Sequence, residues 1–348
     1  MKVLFGMGMG MGPIIKRDDL SGFQELVRMA DGYGVHALGT FDSAFIGGDT
    51  YVRTTLMATA SERALIGPRP TNPLTREPQI MASYLGSIDG LTNGRAFMDI
   101  ASGDSAVYNM GFKMATRARI EEYITCVRDL MSKGEGTYQG RIQKMRWTAQ
   151  MVRNKVPISI CAEGPRMLHL AGRVGDGVIA GTGLLPEIIK DTTERVHAGA
   201  REEGRDPSEV EMWFTTRSSL HDDHDKAIEN VMASVSSILH HSMKVSLEDK
   251  HVPDELRDQI QEYVDGYVLY EHVQSGGSNP KNMQAMGLAD YAIKRFALAG
   301  NAKDWIGRIE EIADSGATKL WMNLGGSNPE EAKHYMKVFG EEIMPHFQ

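Results

Sequence analysis

The chain has 348 residues, 41% apolar and 24% charged, which is the make-up of a soluble globular protein with ample length for a large core. A net charge of −8 disfavours nucleic acid or an anionic membrane as a partner, and no run approaches the roughly 18 apolar residues of a membrane span. Cys126 and Cys161 make neither a disulfide framework nor a zinc site. With an N-terminus that lacks a signal-peptide apolar core, they point to a reducing, cytoplasmic setting.

Val3-Leu4-Phe5 reads as a short buried strand. It runs into Gly6, Gly8, Gly10 and Gly12, separated by Met7, Met9 and Met11. A dinucleotide loop needs G-x-G-x-x-G, so this strict period of two argues against one. A period of two is strand-like. The glycines read either as a strand rim that leaves room for a ring system, with the methionines as pocket walls, or as a merely flexible rim. Asp18 or Asp19 then caps a helix that runs to Tyr33, with Phe23, Leu26, Val27 and Ala30 on one stripe and Gly34 as its stop.

Further strands are expected at 36–41, 64–66 and 96–101, and helices at 51–62, 79–91 and 117–131. The same beat continues with strands at 157–161, 177–180, 210–216 and 319–323. Helices follow them at 165–174, 186–203, 226–240 and 329–339. Eight alternations of strand and helix argue for parallel strands joined by helical crossovers. The expected fold is an α/β chain folded as one (β/α)8 TIM barrel over residues 1–348, with insertions. Two stretches break the rhythm. Residues 134–153 read as a hairpin, and residues 242–300 as a polar helical insertion before the last barrel unit, suited to a lid or dimer element.

Ligands of such barrels meet the C-terminal ends of the strands. Those ends carry the glycine run, Asp42-Ser43, Pro70-Thr71-Asn72, Ala101-Ser102-Gly103-Asp104-Ser105, Ala162-Glu163-Gly164-Pro165, Gly181-Thr182-Gly183 and Asn323-Leu324-Gly325-Gly326. Small residues of this kind offer backbone N–H groups and hydroxyls to a phosphate and a flat polar ring. HExxH, G-x-S-x-G and Walker A patterns are absent. His221 and His224, beside Asp222 and Asp223, read as a solvated helix start, and His240-His241 as structural. Tyr108 and Trp321 are candidates for contact with a ring or substrate, with core packing favoured for Trp321. Asp42 has two readings, as acceptor of a substrate proton or as a cap for the segment that follows it.

Three stretches carry a resemblance: residues 67–107 (GPRPTNPLTREP…ASGDSAV), residues 157–183 (PISICAEGPRMLHLAGRVGDGVIAGTG) and residues 300–323. In order and spacing the chain resembles the luciferase-like flavin monooxygenase superfamily, which includes oxidoreductases dependent on the deazaflavin F420. The resemblance implies a barrel with the cofactor at the C-terminal rim. Glu163 and Gly164 would clasp its phosphate through backbone N–H groups, with the Glu163 side chain turned away. Ala101, Ser102, Gly103 and Ser105 would sit by the tail and ring edge, and Ala162, Gly181 and Thr182 would wall the site. Relatives carry a basic residue where Ser102 stands, which makes Arg166 the candidate for neutralising the phosphate.

The resemblance also implies a cis bond at Arg69–Pro70, placing Pro70, Thr71 and Asn72 behind the ring. It puts Asp42 near the ring, with Ser43 where some relatives have His. The Arg-His-Pro motif of the superfamily reads Arg76-Glu77-Pro78 here. The activity implied first is an FMN-dependent monooxygenase working through reduced flavin and O2 by way of a C4a-hydroperoxide, supplied by a separate flavin reductase and assembled as a homodimer. F420-dependent hydride transfer and a non-catalytic flavin-binding role are the alternatives.

Overall fold

In the computed structural model, residues 1–9, 17–272, 274, 276–323 and 328–348 are described. The chain runs β1 (Leu4–Gly8), α1 (Arg17–Tyr33), β2 (Ala37–Thr40), α2 (Thr50–Ala58), β3 (Leu65–Pro68), α3 (Pro78–Leu91) and β4 (Met98–Ile100). Next come the one-turn α4 (Ser105–Tyr108), α5 (Arg117–Lys133) and the antiparallel hairpin β5 (Glu135–Tyr138) with β6 (Arg141–Lys144). The barrel resumes with β7 (Ile158–Ala162), α6 (Pro165–Val174), β8 (Gly177–Ala180), α7 (Pro186–Glu202) and β9 (Glu211–Thr215). The remainder is β10 (Arg217–Leu220), α8 (His224–Met243), α9 (Arg257–Asp265), α10 (Ser278–Ala285), α11 (Ala289–Phe296), β11 (Ala297–Gly300), α12 (Ala302–Asp314), β12 (Lys319–Met322) and α13 (Pro329–Val338).

Eight parallel strands form the barrel in the order β3-β2-β1-β12-β9-β8-β7-β4. Its ends meet through bridges Ile66–Ala96 and Thr71–Ile100. Between these bridges the β3 side has one residue more than the β4 side, so the chain bulges there. The bulge holds the Arg69–Pro70 bond, which is cis as the resemblance implies.

Strand residues alternate between two layers. Phe5, Met7, Leu38, Ile66, Ile100, Val178 and Leu320 point outward into the core shared with the helices. The predicted α1 stripe of Phe23, Leu26, Val27 and Ala30 fills the same layer. Inward-facing Ala37, Phe97, Ile179, Trp213 and Trp321 form a smaller cluster that plugs the barrel.

This alternation answers the question posed by the glycines. Gly6 is in register with Trp321 of β12, and a Cβ on Gly6 would overlap the Trp321 ring. A Cβ on Gly8 would overlap the Asn323 side chain. The ring that Gly6 admits is therefore the protein's own. Met7 and Met9 are buried in the outer core, although both also border the cavity described below. Gly10, Met11 and Gly12 lie outside the described residues, as do Leu324, Gly325 and Gly326.

The stretch at 242–300 differs from the expectation of an all-helical insertion. Helices α9, α10 and α11 do pack against α8, around Val235, Leu239, Ile260, Met283 and Phe296. The stretch ends, however, in strand β11, which pairs in parallel with β10. The segments RSSL and ALAG are four residues each with no apolar alternation, so each becomes a strand only through the other. No described helix is long and apolar enough to cross a membrane. At the N-terminal end of the barrel, buried carboxylates serve the fold. Asp31 accepts from Ser61 Oγ and the backbone N–H groups of Glu62, Arg63 and Ala64, and Asp89 pairs with Arg153.

Candidate active site

A cavity of about 1330 Å³ opens at the C-terminal ends of the strands. The turn after β4 (Ser102-Gly103) and the turn after β7 (Glu163-Gly164) both open into it. Asp42, Pro70, Thr71, Asn72, Ala101, Ala162 and Gly181 border it as well. Thr182 is turned away: its hydroxyl meets Thr192 at 2.8 Å and its carbonyl accepts two N–H groups from buried Arg295. Ser105 opens α4, and its side chain lies outside the described set. Tyr108 is exposed and packs near Lys244, with Nζ 5.7 Å from the ring centroid.

The end nearest α6 presents open backbone donors. Gly164 is the N-cap of α6 and offers no side chain to the first-turn donors, and Pro165 supplies none of its own. A Cβ on Gly164 would meet nothing within 4 Å, so the approach is open. Unsatisfied donors and the helix dipole favour negative charge at such a point. Arg166 and Arg117 border the same cavity, both exposed, and neither is paired with a described residue. Glu163 points across to α8, clear of the helix axis, where Oε2 accepts from Ser242 Oγ at 3.2 Å and lies 3.3 Å from His241 Nε2.

On the side of β2 and β3, Asp42 is held by three hydrogen bonds from two residues. Thr71 Oγ1 donates to Oδ2 at 2.9 Å, Arg76 Nε donates to Oδ2 at 2.9 Å, and Arg76 Nη2 donates to Oδ1 at 3.0 Å. Arg76 also reaches Asp49 at 2.9 Å and lies over the Tyr51 ring at 3.8 Å. The carboxylate is the hub of this wall and also borders the cavity. Asn72 Oδ1 accepts from the N–H groups of Leu74 and Thr75, a local turn that fixes the loop after the bulge. The floor is the buried pair Arg69–Asp99 at 3.1 Å, with Arg69 lying 3.8 Å from the Trp321 ring. Burial pushes the Asp99 carboxyl up to about 6, against the pull of Arg69.

The opposite wall comes from the end of α8. His241 Nδ1 lies 2.7 Å from Asp104 Oδ2, and Lys244 Nζ donates to Asp104 Oδ1 at 3.3 Å. With Glu163 these residues tie the turns after β4 and β7 to the helix above them. Burial disfavours the His241 imidazolium, but Glu163 and Asp104 outweigh it and hold the group above the ordinary value of 6.5. Burial would raise the Asp104 carboxyl, yet His241 and Lys244 hold it well below the usual carboxylate range. His240 behaves differently: burial drives it down to about 4, and it stacks on Tyr267 at 3.9 Å. Of the other histidines, His224 meets Asp304 at 2.9 Å, and among the described residues no group of three or more His, Cys, Asp or Glu could hold a metal.

The sequence profile of the luciferase-like monooxygenase family matches residues 3–319. The chain belongs to that family. It is 28% identical over 316 residues to the 5,10-methylenetetrahydromethanopterin reductase of Methanopyrus kandleri, covering 84% of this chain and 86% of the relative. It is 24% identical over 294 residues to the F420-dependent glucose-6-phosphate dehydrogenase of Microbacterium testaceum, covering 82% and 79%. The solved structure of the coenzyme F420-dependent tetrahydromethanopterin reductase from Methanopyrus kandleri superposes over the full length of both chains with a TM-score of 0.76 at 24% identity, which establishes the shared fold.

Within this luciferase-like barrel, sequence reasoning missed two contributors. Arg76 drew notice only for the histidine absent beside it, although an arginine six residues after the cis proline could have been weighed as a partner for Asp42. His241 was set aside with its neighbour His240. On a helix, adjacent residues face directions about 100° apart, and only the packing of α8 shows which one meets the cavity.

Proposed function

We propose that this luciferase-like protein is an F420-dependent oxidoreductase that transfers a hydride between F420 and a small organic substrate. The observation that carries the reading is the open first turn of α6, flanked by two arginines with no acidic partner among the described residues. FMN ends in a single phosphate, whereas F420 continues past its phosphate into a chain of carboxylates. Arg117 and Arg166 suit the longer anion. The named relatives, described as a methylenetetrahydromethanopterin reductase and an F420-dependent dehydrogenase, favour the same cofactor over FMN.

In this reading the first turn of α6 and Arg166 hold the phosphate, and Arg117 meets the acidic tail. The bulge after β3 supports the ring from behind. The Asp42–Arg76–Thr71 network keeps that wall rigid, while Trp321 and Arg69 close the floor and keep water out of the barrel. When bound, F420 supplies two-electron hydride chemistry at its deazaflavin ring. The test is equilibrium binding followed by fluorescence. F420 should bind at least about tenfold more tightly than FMN, a difference of about 1.4 kcal/mol. Tighter binding of FMN, with consumption of O2 when reduced FMN is added, would replace this reading by the monooxygenase one.

A further inference from the structure

The roles assigned above leave Arg217 unused. It opens β10 two residues beyond the end of β9 and borders the cavity. In the barrel order β9 stands four strands from β3 in either direction, so Arg217 lies diametrically across from the bulge. Its Nε is buried with no hydrogen-bond partner, and the guanidinium has no ion pair among the described residues. The acids that could serve it are engaged elsewhere: Asp99 with Arg69, Asp104 with His241 and Lys244, and Glu163 with Ser242 and His241. Burial pulls the Arg217 guanidinium below its usual range, and Glu163 opposes this only in part. A partly buried cation with no counter-ion among the described residues weakens the fold that holds it, which is the usual mark of a group kept for a ligand.

We infer that Arg217 anchors a carboxylate on the organic substrate, with Ser237 and His272 on the same wall completing its hydrogen bonds. Ser237 Oγ lies 3.2 Å from His272 Nε2, and both residues border the cavity. A guanidinium presents two parallel N–H donors that match the two oxygens of a planar carboxylate. One unpaired positive charge balances a monoanion. A phosphate dianion would call for the nearby lysines too, but Lys244 is engaged by Asp104 and Lys250 donates to the Ser242 carbonyl. The inference rests on the F420 reading only for the side of the cavity left to the substrate.

The experiment uses the full-length protein, with and without bound F420, and the variants Arg217→Gln and Arg217→Lys. Butyrate, butyramide and methyl phosphate are titrated while tryptophan emission is followed, since Trp213 and Trp321 lie in the barrel. Butyrate should bind the wild type about tenfold or more tightly than it binds Arg217→Gln, with partial recovery in Arg217→Lys. Butyramide should bind both alike, and methyl phosphate should bind more weakly than butyrate. Without ligand, Arg217→Gln should melt at the same temperature as the wild type or higher, because it removes an unpaired, partly buried charge. Equal butyrate affinity in wild type and Arg217→Gln, a preference for methyl phosphate, or a lower melting temperature for Arg217→Gln would each overturn the assignment. Loss of F420 binding in the wild type, with Arg217-dependent butyrate binding retained, would instead discard the cofactor reading and leave the anchor standing.

Discussion

Arg76→Ala is the most telling single substitution in the wall of the site. It removes both hydrogen bonds to the Asp42 oxygens and the contact with Asp49. The two acids weigh differently. Asp49 is half exposed at 50% and rehydrates readily, so its loss costs well under about 1 kcal/mol. Asp42 is only 8% exposed and would keep a single partner, Thr71. Stripping one partner from a buried pair costs about 3–5 kcal/mol. Arg76 is itself 19% exposed, so water can enter behind it, and the lower end of that range applies. Loss of the cation–π contact with Tyr51 adds about 0.5–1 kcal/mol. The expected destabilisation is about 3–4 kcal/mol, read as a lower urea midpoint with unchanged slope. Arg76→Lys keeps the charge without the two-pronged geometry and should lose about half as much. Adding Asp42→Asn to Arg76→Ala removes the stranded charge, so the double variant should be less destabilised than the sum of the singles, by about 1–2 kcal/mol. An Arg76→Ala midpoint indistinguishable from wild type, or strict additivity in the cycle, would refute the role given to Asp42 as a clamped hub.

Three further outcomes follow from the geometry. Gly6→Ala drives a methyl group into Trp321 and should cost about 1–3 kcal/mol with a shift in tryptophan emission; a variant with wild-type stability and emission would show that the barrel interior has slack there. The ties of His241 to Asp104 and Glu163 should make the stability difference between wild type and His241→Asn depend on pH. The histidine value is raised, so its contribution is complete below the ordinary 6.5 and fades as pH climbs through the folded value. The Asp104 value is lowered, so its contribution is present above 3.8 and disappears in stronger acid. The difference in urea midpoint should therefore be largest between about pH 4 and 6.5 and shrink at alkaline pH, and a flat profile would contradict the ion-paired wall. Arg117→Ala combined with Arg166→Ala should weaken F420 by about three- to tenfold, with a shallower salt dependence, while leaving a deazaflavin that lacks both phosphate and tail unaffected. Equal losses for both ligands would move the two arginines from the phosphate and tail to the ring.

Much of the fold was legible because barrel units carry strong local signals. Helix α6 begins at Pro165 and ends at Val174, and β8 spans Gly177–Ala180, each where the sequence pattern put it. The pairing of β10 with β11 was not legible. Its two segments are separated by the α8–α11 helices and have no strand character of their own. The candidate site divides in the same way. Turns rich in small residues after β4 and β7 announced themselves, and the structure brings both to one cavity. The direction of Glu163 was foreseeable only as an avoidance of the anion, since its actual partners, His241 and Ser242, arrive from a helix nearly 80 residues later. Thr182 was selected with its glycine neighbours, yet Thr192 and Arg295 claim it from the helical side. Arg217 drew no attention in the sequence because what sets it apart is the lack of a partner, which only packing can show.

A crystal structure of the protein grown with F420 tests the central claim most directly. The account places the phosphate within hydrogen-bonding distance of the first-turn N–H groups of α6 and of Arg166, with the ring against the Pro70–Thr71 bulge and the acidic tail toward Arg117. Density for F420 elsewhere on the molecule, or a ring seated away from the bulge with its phosphate remote from Gly164, would contradict it.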